Sequence, residues 1–122
     1  MLLKEYKDVR KIYFIGIGGV NMSALAIYLH NNGCKVAGSD LSNNNYVTTL
    51  KNAGILVNNN HYKNNIDGFS AIVYTSAIKE TNPELLEARK RKIPVFKRSQ
   101  LLSIIISSFS NSIAVFVLAN PP

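Results

Sequence analysis

Six consecutive residues, Gly16-Ile17-Gly18-Gly19-Val20-Asn21, have the spacing most suited to chemistry in this 122-residue chain. Glycine in the first position permits a tight turn, and glycine in the third lets the backbone approach a phosphate closely. A helix beginning directly after the turn would face its first amide groups, and the positive end of its dipole, toward the same anion. Asp40 follows at the end of a second apolar run, where an acidic side chain can accept hydrogen bonds from ribose hydroxyls. Turn and carboxylate together point to a nucleotide-like ligand. Asn21 stands where the pattern G-x-G-x-x-G has its third glycine, which normally lets helix and strand pack closely, and this weakens a dinucleotide reading. The alternative is a turn that serves helix–strand packing alone. On these residues three classes remain open: a nicotinamide-linked oxidoreductase, a nucleotide-sensing regulatory module, or a ligase domain holding a nucleotide-activated substrate.

The elements that must position these residues follow from hydrophobic patterning. Residues 11–17 form a short apolar run with β-branched and aromatic members, which reads as a buried strand. From Val20 to Asn32, Met22, Leu25, Ala26 and Leu29 recur at helical spacing, and Gly33 offers a C-terminal cap. A second strand is expected over Lys35–Gly38, ending at Ser39-Asp40. A short helix follows from Tyr46 to Ala53, stopped by Gly54, then strands at Ile55–Val57 and Ala71–Thr75. Asn82-Pro83-Glu84 opens the next helix, with Asn82 as N-cap, Pro83 at the first helical position and Glu84 beside the positive helix end. That helix is expected to reach about Lys92. A strand at Pro94–Phe96, a helix at Ser99–Ser107 and a last strand at Ile113–Leu118 complete the pattern. Alternating strands and helices predict an α/β fold: one Rossmann-like three-layer sandwich with a mostly parallel sheet and helices on both faces.

Composition narrows the function classes. With 47% hydrophobic and 17% charged residues the chain is globular, not disordered. One cysteine, Cys34, excludes an internal disulfide framework and a cysteine-based zinc site, and His30 and His61 give no ligand spacing, so no metal site is expected. The net charge of +7 suits an anionic partner or simply a solvated surface. The basic cluster Arg89-Lys90-Arg91-Lys92 complements a negative helix end and has no stacking aromatics beside it, so no nucleic acid is expected. The first residues carry no apolar run of signal-peptide length, and a lone cysteine suits a reducing compartment; the expected location is cytoplasmic. Residues 101–119 are uncharged, but the cluster Ser107-Ser108-Phe109-Ser110-Asn111-Ser112 reads as a turn, so no membrane span is expected. Asparagine-rich stretches at residues 43–45, 58–60 and 64–65 read as loops.

A longer string, Gly16-Ile17-Gly18-Gly19-Val20-Asn21-Met22-Ser23-Ala24-Leu25-Ala26, resembles the opening of the Mur ligase family, in the wording of its UDP-N-acetylmuramate–L-alanine ligases. Further matches come in the same order. They are Gly38-Ser39-Asp40-Leu41; Gly54-Ile55 followed by His61; Thr75-Ser76-Ala77-Ile78 with Asn82-Pro83-Glu84-Leu85; and Ile93-Pro94-Val95 through Arg98 and Leu101-Leu102. The resemblance implies a three-domain cytoplasmic ligase of peptidoglycan synthesis. Its Rossmann-like first domain binds the UDP part of UDP-N-acetylmuramate. Its central domain binds ATP and magnesium, and its last domain brings the amino acid. The muramate carboxylate is activated as an acyl phosphate, which the alanine amine attacks.

Carried over residue by residue, the resemblance implies that Gly16, Gly18, Gly19 and the amides of Asn21, Met22 and Ser23 cradle a pyrophosphate. Ser23 adds a hydroxyl donor or is only a first-turn helix serine. Asp40, with Ser39, holds ribose, and His61 lies beside the nucleotide or in solvent. Thr75, Ser76, Ala77 and Ile78 line the ligand at the carboxyl end of the fourth strand. Arg98 contacts the substrate anion or is an exposed helix-start arginine. No catalytic residue is expected in this chain. The family should follow the final strand with a glycine-rich phosphate loop containing Lys and Thr. Here Ile113-Ala114-Val115 continues as Phe116-Val117-Leu118-Ala119-Asn120-Pro121-Pro122. Residues 1–115 are therefore expected to form the UDP-substrate domain and 116–122 a divergent tail, with no cofactor in this chain and the ATP and magnesium sites outside it. The alternatives are a nucleotide-sensing regulatory module and the domain of a murein-peptide-recycling ligase.

Overall fold

A computed structural model describes the backbone of residues 11–108 and the side chains of residues 11–103. Five strands, β1 (Lys11–Ile15), β2 (Lys35–Ser39), β3 (Leu56–Asn58), β4 (Ala71–Tyr74) and β5 (Val95–Lys97), form one sheet in the order β3-β2-β1-β4-β5. Every pairing in it is parallel. Four helices, α1 (Val20–Asn31), α2 (Asn45–Asn52), α3 (Pro83–Lys90) and α4 (Arg98–Ser108), and a 3-10 turn at Lys63–Ile66 supply the connections.

A parallel sheet is covered on both faces, which is why β1 reads as a continuous apolar run instead of an alternating one. Its side chains still divide between two cores. Ile12 and Phe14 pack with Met22, Ala26 and Leu29 of α1, Leu50 of α2 and Leu101 of α4. Tyr13 and Ile15 pack with Ile66 of the 3-10 turn and with Leu85 and Ala88 of α3. The result is the three-layer α/β sandwich that the strand–helix alternation predicts.

Several boundaries differ from the sequence reading, each for a local reason. Strand β1 stops at Ile15 because Gly16 turns the chain at φ +82°. Helix α2 starts at Asn45 because the Asn44 side chain accepts a hydrogen bond from Val47 N at 2.9 Å and caps it. Helix α3 ends at Lys90, short of the expected Lys92, because Lys92 itself takes a left-handed φ of 59°. Ile93 N then donates to Ala88 O at 3.0 Å and closes the helix end. The 3-10 turn lies in a segment read only as an asparagine-rich loop; fully buried Ile66 anchors it. The expected last strand at Ile113–Leu118 and the tail 116–122 lie outside the described residues.

This strand order has a topological switch point. From β1 the chain moves toward β2 on one side of the sheet, and β4 leads to β5 on the other. The carboxyl ends of β1 and β4 therefore bound the crevice where open α/β sheets take ligands.

Candidate functional site

The glycine turn occupies one side of that crevice. Gly16 N and Ile17 N both donate to the Ser39 carbonyl, at 2.8 and 3.0 Å, so the end of β2 holds the start of the turn. Ser23 N donates to Gly19 O at 2.8 Å. The amides of Val20, Asn21 and Met22 lie ahead of that bond, and helix geometry leaves such groups without intrahelical carbonyl partners. These three amides, with the positive end of the α1 dipole, are what the turn can offer an anion.

Ser23 departs from its expected role. Its amide closes the helix, its hydroxyl donates to Val20 O at 3.1 Å, and the residue is buried. It is the first-turn helix serine of the alternative reading and has no donor left for a phosphate. Met22 is buried in the core beneath α1, so only its backbone faces the crevice. Asn21 is exposed, and the missing third glycine therefore crowds nothing. The close approach falls instead on Gly38, paired with Phe14 across β1 and β2. A Cβ there would lie 2.5 Å from Phe14 O and 2.7 Å from Ile17 Cβ. Sequence reasoning named that glycine only as part of the second strand's end, although a glycine inside a strand itself signals a close approach.

Asp40 does work beyond the ribose contact expected of it. Its Oδ2 accepts from Gly18 N at 2.7 Å and its Oδ1 from Ser42 N at 2.8 Å. Asn44 Nδ2 donates to Gly18 O at 3.2 Å. The loop after β2 thus grips Gly18 through both its N–H and its carbonyl. A Cβ on Gly18 would lie 2.7 Å from Asp40 Oδ2 and 2.8 Å from Val47 Cγ2, so glycine is required there by the grip itself. Asp40 orients the turn, and a carboxylate has further lone pairs for a ligand.

The β4 loop closes the other side. Ile78 N donates to Thr75 O at 3.0 Å, forming a turn in which Ser76 and Ala77 are exposed. Ile78 Cδ1 lies 3.2 Å from the point where a Cβ on Gly16 would stand. The two loops therefore meet across the switch point. Gly19 has only ordinary contacts. Arg98 is half-buried at the first position of α4, directly after β5.

Ser39 and His61 belong to a second cluster, built around a residue the sequence reading used only as a helix-start acid. The Glu84 carboxylate is fully buried in the first turn of α3. Its Oε1 accepts from Ser39 Oγ at 2.5 Å and lies 3.0 Å from His61 Nδ1. Its Oε2 accepts from Tyr13 Oη at 2.5 Å and Asn65 Nδ2 at 2.9 Å. Asn58 Nδ2 donates to Tyr13 Oη at 3.3 Å, and Ser39 Oγ lies 2.9 Å from His61 Nδ1. Burial first, and the Glu84 carboxylate second, push the Tyr13 phenol well above its ordinary range. The available signal was Tyr13, since a buried tyrosine hydroxyl needs a partner. Ser39 is fully buried, so its side chain reaches a ligand only through this cluster. His61 is partly exposed.

Two hollows flank these groups. One of about 290 Å³ is lined by Leu41, Ser42, Lys51, Val57 and Asn58 to Asn60, beyond the ends of β2 and β3. One of about 450 Å³ is lined by His61, Tyr62, Lys63, Pro83, Leu86 and Lys90, among others. Neither of these two is lined by the glycine turn. Among the described residues no group of three or more His, Cys, Asp or Glu side chains could hold a metal ion, and no helix is long and apolar enough to cross a membrane. In the basic cluster, Arg89 pairs with Glu80 and donates to Tyr74 Oη, while Arg91 pairs with Glu87 and Asp67.

Comparison with known proteins gives a consistent picture. The family model described as "Mur ligase family, catalytic domain" matches residues 11–110. The chain is 47% identical over 107 residues to a UDP-N-acetylmuramate–L-alanine ligase of Rickettsia typhi, covering 84% of this chain and 22% of that protein. It is 40% identical over 106 residues to the enzyme of that name from Clostridium beijerinckii, covering 87% of this chain and 23% of the other. Among solved structures, UDP-N-acetylmuramate-alanine ligase of Thermotoga maritima superposes with a TM-score of 0.73 at 33% identity, over 75% of this chain and 21% of that one. The UDP-N-acetylmuramate:L-alanyl-gamma-D-glutamyl-meso-diaminopimelate ligase of Neisseria meningitides gives 0.69 at 27% identity, over 75% and 29%. The chain thus spans about a fifth of the length of the curated relatives it matches.

Proposed function

The chain belongs to the Mur ligase family, and on that premise we propose that it is the UDP-substrate-binding domain of a UDP-N-acetylmuramate–L-alanine ligase. In this reading it holds the UDP part of UDP-N-acetylmuramate while L-alanine is added, with ATP hydrolysis, in cytoplasmic peptidoglycan synthesis. The observation that carries it is the set of Val20, Asn21 and Met22 amides at the start of α1, beside the β4 loop at the switch point. Backbone amides on a helix dipole suit a pyrophosphate. Gly16, Gly18 and Gly19 shape the turn, Asp40 holds it and faces the ribose, and Thr75 to Ile78 bound the far side. Ser39 sits in the Glu84 cluster beside His61, which meets the nucleoside. The resemblance puts the ATP, magnesium and amino-acid sites in domains beyond the matched residues, so this chain binds substrate without turning it over.

One alternative has a specific observation behind it, the likeness to the Neisseria ligase. The names of both relatives begin with UDP-N-acetylmuramate, so the two readings share a ligand for this domain and differ in the amine added elsewhere. The higher identity to the L-alanine ligases favours the first. Calorimetry with UDP-N-acetylmuramate, UDP and NADH tests the proposal. Binding of the two uridine ligands is expected, with UDP-N-acetylmuramate the tighter. Preference for NADH, or no binding by a folded sample, overturns it.

A further inference from the structure

We propose that Glu84 is a positioning residue that fixes the tautomer of His61, holding its proton on Nδ1 so that Nε2 remains an acceptor for a donor group of the ligand. The ligand's identity as a UDP-sugar rests on the reading above; the tautomer does not.

The argument is a count of protons. Glu84 lies in the first turn of α3, a position that suits a negative charge. A carboxylate only accepts, and four groups converge on it. Tyr13 and Asn65 donate to Oε2, and Ser39 donates its single hydroxyl proton to Oε1. The fourth group, His61 Nδ1, lies 3.0 Å from Oε1 and 2.9 Å from Ser39 Oγ. The Ser39 proton is already given to Glu84, so both atoms facing Nδ1 present lone pairs. Only an Nδ1–H satisfies them. The opposite assignment sets a nitrogen lone pair against a buried carboxylate oxygen.

The same ring lines the 450 Å³ hollow together with Tyr62, Pro83 and Leu86. With the Nδ1 edge committed inward, the other nitrogen is the one left for a ligand. In neutral His61 it is an acceptor, matched to a hydroxyl or imide N–H and not to a phosphate oxygen. This gives the two polar regions different tasks: the α1 amides take the anion, and His61 reads a neutral donor. Glu84 touches no ligand and acts through the imidazole, as partners of a histidine's far nitrogen commonly do.

The test is nitrogen NMR on the 15N-labelled 122-residue chain, with His61 assigned by H61Q. Spectra are taken at about pH 8.5. Wild type is expected to carry its proton on Nδ1. In E84Q the amide NH₂ can donate to Nδ1, and the proton is expected to move to Nε2. E84D keeps a carboxylate and is expected to restore Nδ1–H. S39A leaves Glu84 as the acceptor and is expected to keep Nδ1–H. An Nε2–H tautomer in wild type overturns the proposal, as it would if a carboxyl proton ran from Glu84 through Ser39 to Nδ1. The same tautomer in wild type and E84Q overturns it too, as does a switch in S39A, which would move the role to Ser39. If E84Q does not fold, the wild-type and S39A spectra still decide. By calorimetry, E84Q is expected to bind UDP-N-acetylmuramate about tenfold more weakly, the loss of one good hydrogen bond. Absence of binding by folded wild type would end the functional reading and leave the tautomer result standing.

Discussion

The two faces of the sheet are held by different physics. Under α1, α2 and α4 the buried cluster is built of apolar side chains, from Ile12 and Phe14 to Leu50 and Leu101, and the buried Ser23 hydroxyl bonds back onto its own helix. Under α3 and the 3-10 turn, apolar packing by Tyr13, Ile15 and Ile72 surrounds a buried carboxylate with four partners. The apolar face is non-directional: it needs volume filled and tolerates rearrangement of what fills it. The α3 face is directional, because each donor requires its acceptor at one place. The difference shows why the site uses both. The apolar face presses α1 against β1 and so aims the amides, while the charged face fixes one side chain, His61.

Substitutions can break this contrast, and the largest effect should come from volume. Phe14→Ala is expected to cost about 3–5 kcal/mol in urea unfolding, the usual range for deleting a buried ring. Glu84→Ala is expected to cost roughly 3 kcal/mol, chiefly because Tyr13, Ser39 and Asn65 keep buried donors without an acceptor. Pairing tells the faces apart. Glu84→Ala with Tyr13→Phe should deviate from additivity by more than about 0.5 kcal/mol, since the two share a bond, whereas Glu84→Ala with Phe14→Ala should add to within that amount. Strong coupling across the sheet would end the idea of two separable faces.

A smaller effect probes the glycine turn. Asp40→Ala is expected to weaken UDP-N-acetylmuramate binding by about 1–3 kcal/mol in calorimetry, through loss of a charge-assisted bond to Gly18 N. Asp40→Asn keeps an oxygen for that amide and is expected to retain most of the affinity. If both variants lose equally, the carboxylate meets the ligand directly and its grip on the turn is secondary.

The unequal legibility of the two faces has the same origin. The five described strands, the glycine turn and the Asn82-Pro83 start of α3 were readable because each is set by residues close in sequence. Asn82 Oδ1 accepts from Glu84 N and Leu85 N, two and three residues on. Glu84 read locally as a helix-start acid, which it is. Its burial depends on Tyr13, Ser39, His61 and Asn65, separated from it by 71, 45, 23 and 19 residues. No periodicity carries such a convergence. Ser23 and Asp40 were read chiefly for a ligand, because a motif specifies residue types near a ligand and not which of them the fold has already engaged. Lys92 ended α3 early because a left-handed residue at a helix end is commonly glycine, and here lysine takes that conformation instead.

The most delicate probe is Tyr13→Phe, which removes one hydroxyl from the directional face and leaves its volume unchanged. At neutral pH the loss should be only about 1 kcal/mol, one net hydrogen bond, with the two remaining donors and His61 still on Glu84. The sharper signature is in alkali. Burial and the neighbouring carboxylate favour the neutral phenol, so the folded chain holds the Tyr13 proton more tightly than the unfolded chain does. That contribution is complete below the unfolded tyrosine value of about 10 and is lost as pH rises from there toward the folded value. Wild type should therefore lose unfolding free energy more steeply than Tyr13→Phe above about pH 10, and the two curves should converge. Other tyrosines and lysines titrate in both proteins and cancel in the difference. Parallel curves would mean that the phenol titrates alike in the folded and unfolded chain, so that neither burial nor Glu84 holds its proton.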